Sequence, residues 1–274
     1  MRSSGLARRG HGAAAWVPLV AAAWVALAGC AGTGMQPGAR KDMVTESDEP
    51  EARKRARIRM ELALGYFEQG QTSVALDEIK QVIASDPNFP QAYNLRGLIY
   101  MRLNDMGQAE DSFRRALSVD PRSGDTLHNY GWLQCQQRRY DESVRSFEQA
   151  LANPTYGARA KTLMAQGLCQ ARAGRAVDAE RSLARSYELD AANPVTGYNL
   201  ARLLYQRGEL KRSQFYIRRL NNSELSNSES LWLGIRVERR LGDRVAMTQL
   251  AEQLRRRHPQ SRELTAYNRG AFDE

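Results

Sequence analysis

A 34-residue period constrains this chain more than any other feature. Gly70, Asn104, Arg138, Gly174, Gly208 and Gly242 fall at separations of 34, 34, 36, 34 and 34. Five residues after each stand Ala75, Ala109, Ser143, Ala179, Ser213 and Met247. Self-similarity at this period means one supersecondary unit used again and again. The unit reads as two helices. Small residues at Ala63, Gly97, Gly131, Gly167 and Ala201 let a first helix approach a second closely, and Ile79, Phe113, Phe147, Leu183 and Ile217 fill the space beside the crossing. Pro87, Pro121 and Pro259 are placed to stop second helices, since proline lacks an amide hydrogen and disfavours a helical residue before it. One helix pair cannot bury its apolar face alone, so neighbours must stack into a solenoid.

This pattern resembles tetratricopeptide repeats from residue 56 to about 261. The resemblance implies an all-α fold, a right-handed superhelical solenoid of about six helix pairs. The expected organisation is a signal peptide over 1–29, a lipidated cysteine and flexible tether over 30–52, six repeats over 53–262, and a cap and tail over 263–274. Three irregularities stand out. The third-to-fourth junction, ANPTYGA, is two residues longer, the fifth repeat ends in NNSELSNSES without proline, and around LWLGIRVERRLGD the helix register is open by one residue.

The N-terminus has a different character. Arg2, Arg8 and Arg9 precede an apolar run from Ala13 to Ala28, the layout of an export signal. At 16 residues the run is shorter than the roughly 20 that a spanning helix needs. It ends in Leu27-Ala28-Gly29-Cys30, which resembles the bacterial lipobox and marks Cys30 as the lipidation site. Each buried lipid methylene contributes about 0.8 kcal/mol, so two or three acyl chains would hold the protein to a membrane. Ala31, in place of an aspartate, favours the outer membrane with the protein facing the periplasm. The stretch from Ala31 to Ala52 is glycine- and proline-bearing and reads as a tether, spanning roughly 25–30 Å r.m.s. as a flexible chain.

Removing residues 1–29 takes away three arginines and no acid, leaving 37 basic against 31 acidic residues, a net charge of +6. Only five of the basic residues are lysine, and guanidinium groups suit carboxylates, phosphates or lipid headgroups. Export argues against a nucleic-acid partner despite the charge. An oxidising periplasm permits Cys135 and Cys169 to pair. With no CxxC neighbour and no histidine at ligand spacing, they are expected to be small, unpaired core or groove residues.

The sequence offers no catalytic, cofactor or metal constellation: its three histidines are scattered at His11, His128 and His258, and no HExxH, GxSxG or P-loop is present. A non-enzymatic protein without cofactor or small-molecule substrate is expected. By analogy with the repeat family, the groove-facing positions are Met60, Leu64 and Phe67, then Asn94, Leu98 and Met101, then His128, Trp132 and Cys135, then Met164 and Leu168, and finally Tyr198, Arg202 and Tyr205. This set is apolar and aromatic and lacks most of the Lys/Arg/Asn clamp that would take an acidic tail. It suits an apolar peptide or partner helix.

Three segments narrow the resemblance. LHNYGWLQCQQRRYDES, NLARLLYQRGELKRSQFY and ESLWLGIRVERRLGD are similar to the type IV pilus biogenesis/stability lipoprotein family, PilF/PilW, across essentially the whole chain. The resemblance implies a pilotin: a lipid-anchored assembly chaperone that engages a subunit of the pilus secretin and delivers it to the outer membrane. The alternatives are a repeat scaffold for outer-membrane protein insertion or cell-wall enzymes, and an envelope enzyme with a diffuse site.

Overall fold

The computed structural model describes residues 50–272. The signal over 1–29, the lipidation site Cys30 and nearly all of the tether lie outside the described residues.

Every regular element described is an α-helix: α1 (Glu51–Glu68), α2 (Thr72–Ser85), α3 (Pro90–Arg102), α4 (Met106–Val119), α5 (Gly124–Gln136), α6 (Tyr140–Ala152), α7 (Arg159–Arg172), α8 (Ala176–Leu189), α9 (Pro194–Gln206), α10 (Leu210–Asn221), α11 (Ser228–Leu241), α12 (Arg244–Arg257) and α13 (Arg262–Arg269). They form six consecutive pairs and one terminal helix. The chain belongs to the all-α class as a tetratricopeptide solenoid.

Local chemistry sets the boundaries. The turn residues Gly70, Asn104, Arg138, Gly174, Gly208 and Gly242 all adopt φ between 61° and 79°, the left-handed conformation that ends a first helix and reverses the chain. Asp105, Ser123, Asn193, Asn227, Asp243 and Ser261 cap helix N-termini by accepting backbone amide hydrogens. Pro87, Pro121 and Pro259 each sit two residues past the end of a second helix, as the sequence requires.

Packing inside each pair follows the small-to-large rule. Ala75, Ala109, Ser143, Ala179 and Ser213 are fully buried, as are Ile79, Phe113, Phe147, Leu183 and Ile217. The helices approach so closely that Ser143 Oγ donates to the carbonyl of Gly131 at 2.7 Å and Ser213 Oγ to that of Ala201 at 2.8 Å. In the last pair Ile235 stands 34 residues after Ala201 and is fully buried, while a Cβ on Gly234 beside it would meet Asn221 Nδ2 of α10 at 2.5 Å and Leu250 at 3.0 Å. That closes the register left open by the sequence.

Between pairs, each odd-numbered helix from α1 to α11 brings its backbone close to the next odd-numbered helix, whereas even-numbered helices meet only through side chains, as Arg212 of α10 meets Glu180 of α8. Neighbouring repeats are therefore closest along the odd-numbered layer. That layer is the inner side of the stack, and its helices supply the candidate groove. α13 packs on both α11 and α12, taking the place of a seventh first helix. Beyond it, Phe272 stacks on Trp232 with ring centroids 5.4 Å apart.

The longer third junction has a structural purpose. Tyr156, within ANPTYGA, is buried against Leu127 and Ala150. A Cβ on Gly124 would lie 2.3 Å from its ring, so only glycine fits at the start of α5.

Candidate partner-binding groove

The odd-numbered helices carry two chemically different stretches. Along α1, α3 and α5 the inner face is apolar. Leu64 is 43% exposed. Met60, Phe67, Leu98, Met101 and Trp132 are half-buried, each packed against a core cluster while keeping part of its surface in solvent. Arginines roof the aromatics: the Arg102 guanidinium lies 3.6 Å from the Phe67 ring centroid and that of Arg172 lies 5.1 Å from Trp132. Such contacts attract the guanidinium to the ring and cover one of its faces. Asn94 accepts from Asn129 Nδ2 at 3.0 Å, a polar link between α3 and α5.

In the middle of the stack two expectations change. His128 is buried, not groove-facing: Nδ1 is 2.8 Å from Thr162 Oγ1, which is itself 2.8 Å from the Tyr156 hydroxyl, and the ring packs on Phe147. The longer junction is the reason, because it tucks Tyr156 beneath α5 and covers the histidine. Burial, with help from the Lys161 charge, pulls its pKa down to about 4, so it is neutral at physiological pH. Cys135 is also buried and is joined to Cys169 by a disulfide, with Cα atoms 5.8 Å apart. The expectation of two unpaired thiols is corrected. The adjacency of α5 and α7 brings together two cysteines 34 residues apart, a proximity that one-dimensional spacing does not reveal. Met164 and Leu168 of α7 are half-buried.

The second stretch, across α9, α11 and α13, is a cavity of about 550 Å³. Three expected residues line it, Tyr198, Arg202 and Tyr205, although Tyr205 is 9% exposed and lies mostly in the core. The cavity also takes Trp232, Arg236, Glu229, Arg262 and Glu263. Trp232 and Arg236 stand 34 residues after Tyr198 and Arg202. The repeat period therefore contained the signal for them, but it was not carried into the sixth repeat, where the register was open. Arg262 hydrogen-bonds both Glu229 and Glu263. Burial raises the Glu263 pKa, but the Arg262 hydrogen bond and charge outweigh it and leave the carboxyl below its ordinary value. Tyr198 is pushed up, chiefly by burial and then by Glu229.

Among the described residues no cluster of His, Cys, Asp or Glu could hold a metal ion, and no helix is long and apolar enough to cross a membrane. The arrangement is built to bind: an apolar, aromatic half and a charged, aromatic half on one continuous layer.

Comparison with known proteins agrees with this geometry. The tetratricopeptide repeat family model matches residues 60–125 and 131–194. The type IV pilus assembly protein PilF of Pseudomonas aeruginosa is 28% identical over 239 residues, 87% of this chain and 92% of that protein. The crystal structure of PilW, described as a widely conserved type IV pilus biogenesis factor, superposes with a TM-score of 0.71 at 31% identity, covering 77% of this chain and 97% of that one. The solved structure of Pseudomonas aeruginosa PilF superposes with a TM-score of 0.73 at 24% identity, covering 81% of this chain and all of that one, a likeness of fold.

Proposed function

The chain belongs to the PilF/PilW family of type IV pilus tetratricopeptide-repeat proteins, and from that premise we propose that it is a pilotin: a non-enzymatic, lipid-anchored chaperone for assembly of the pilus secretin. The observation that carries this reading is the solvent-accessible apolar strip formed by Leu64, Phe67, Leu98, Met101 and Trp132 on the inner layer. An apolar segment of a secretin subunit laid on this strip would gain about 25 cal/mol for each Å² of still-exposed apolar surface that it covers. The same contact would mask the segment from other subunits until the ring closes. Cys30, acylated, would carry the pair to the outer membrane, with the protein on the periplasmic side. The Cys135–Cys169 disulfide supports an oxidising compartment.

Two variants test the two halves of the proposal. Leu64→Glu combined with Leu98→Glu should leave helical content and membrane fractionation unchanged and abolish heat-resistant secretin multimers in mild-detergent electrophoresis. Cys30→Ala should leave the protein folded and strand the secretin in the inner membrane or as monomers. Normal multimers in the folded, anchored groove variant would sink the groove as the chaperone surface. Normal secretin rings in a full deletion would sink the pilotin reading itself.

A further inference from the structure

The cavity across α9, α11 and α13 carries charge that its own residues leave unmatched. Several arginines near this end of the stack face a carboxylate: Arg207 and Arg212 meet Glu180 and Glu209, and Arg218 meets Glu238 and Asp243. In the cavity itself, Arg262 takes both available acids, Glu229 and Glu263. Arg202 and Arg236 are left. Arg202 donates only to the neighbouring Asn199 side chain, at 3.2 Å. Arg236 has its ζ carbon 5.1 Å from the Tyr205 ring centroid, and its Nε is buried and meets no acceptor. An unsatisfied buried donor on a charged group costs free energy that an incoming acceptor would recover.

We infer that Arg202 and Arg236 form a carboxylate-binding site, and that its ligand is the carboxylate of a protein segment whose adjacent aromatic or aliphatic side chain rests between Tyr198, Tyr205 and Trp232. Two features select this ligand. Three arginines and two glutamates line the cavity, so its net charge is +1, the match for a carboxylate rather than a phosphate dianion. The planar guanidinium fork of Arg236, whose Nε meets no acceptor, suits the bidentate geometry of a carboxylate. The aromatic rings flanking it give an adjoining apolar side chain a surface to bury. The site lies four repeats away from Leu64 and does not depend on which partner occupies the apolar strip.

The test uses the full chain in detergent micelles, labelled with ¹⁵N-tryptophan so that the Trp232 indole, assigned by Trp232→Phe, reports on the cavity. The probes are N-acetyl-phenylalanine, its uncharged amide, and inorganic phosphate. The carboxylate probe should give a saturable shift of the Trp232 peak without moving that of Trp132, and the amide should bind at least about tenfold more weakly, the worth of a charge-assisted hydrogen bond. Arg236→Gln and the surface variant Arg202→Gln should each weaken the carboxylate probe by a similar factor with the repeat fold intact by circular dichroism. Equal binding of acid and amide, or an unmoved Trp232 peak, would overturn the assignment. Phosphate binding as tightly as the carboxylate probe would overturn it too, making the cavity a general anion site.

Discussion

A Cβ placed on Gly97 of α3 would lie 2.5 Å from Cε1 of Phe113 on α4, a contact that two fully buried groups cannot accommodate. The same pairing recurs as Gly131 with Phe147 and Gly167 with Leu183, whereas the first and fifth repeats use Ala63 with Ile79 and Ala201 with Ile217. Glycine in a helix interior costs about 1 kcal/mol relative to alanine. Its presence where a Cβ would collide with the facing side chain is therefore set by packing.

Gly97→Ala should destabilise the protein by up to about 2 kcal/mol net, an overpacking cost of about 1–3 kcal/mol less about 1 kcal/mol of helix-propensity gain. The double variant Gly97→Ala with Phe113→Ile reproduces the pair found in the first and fifth repeats, and it should be more stable than the two single effects summed. Denaturant unfolding of the four proteins in the cycle measures this coupling. Additive effects would mean that the two residues do not fit as a pair.

The Cys135–Cys169 link closes a loop of 34 residues and joins the first helices of the third and fourth repeats. On the chain-entropy account such a loop stabilises by about 3–4 kcal/mol. Cys135→Ala with Cys169→Ala should lower the unfolding midpoint by an amount that dithiothreitol reproduces in the wild type and does not increase in the variant. Mass spectrometry of the oxidised protein should show the pair disulfide-linked.

His128 carries a pH dependence. Its pKa is about 4 when folded, against 6.5 when exposed, with burial as the main cause and Lys161 adding to it. Between those values the unfolded chain binds a proton that the folded chain refuses, so stability is lost as pH falls from 6.5 towards 4 and the loss levels off below. The full effect is about 3 kcal/mol. His128→Asn should be less stable at pH 7.5 through lost packing but should show a shallower decline over that interval. Parallel pH profiles of wild type and variant would remove His128 as the cause.

Arg138 holds φ at 62° in a turn where four of the six repeats place glycine, and its side chain is exposed. A side chain in the left-handed region carries a penalty of about 1–2 kcal/mol that glycine avoids, offset partly by glycine's greater unfolded freedom. Arg138→Gly should raise stability by up to about 1 kcal/mol in thermal unfolding. Asn104→Gly should gain less, because asparagine tolerates this conformation.

The sequence by itself determined the helix pairs, their number and their close crossings. Each repeat touches only its neighbours, so the constraints on Gly97, Phe113, the left-handed turns and the stopping prolines recur at a fixed spacing and can be read in one dimension. It also placed Leu64, Phe67, Leu98, Met101 and Trp132 on one layer, because a periodic helix keeps equivalent positions on equivalent faces. The tertiary structure decided what depends on departures from the period. The two extra residues of ANPTYGA carry Tyr156 under α5 and turn the position of His128 from groove into core. The lateral contact of α5 with α7 brings Cys135 to Cys169, a pair that is not equivalent in the repeat. In the last repeats, which acids Arg262 takes and which arginines are left facing the cavity follow from side-chain competition in three dimensions. A sequence lists those charges but does not pair them.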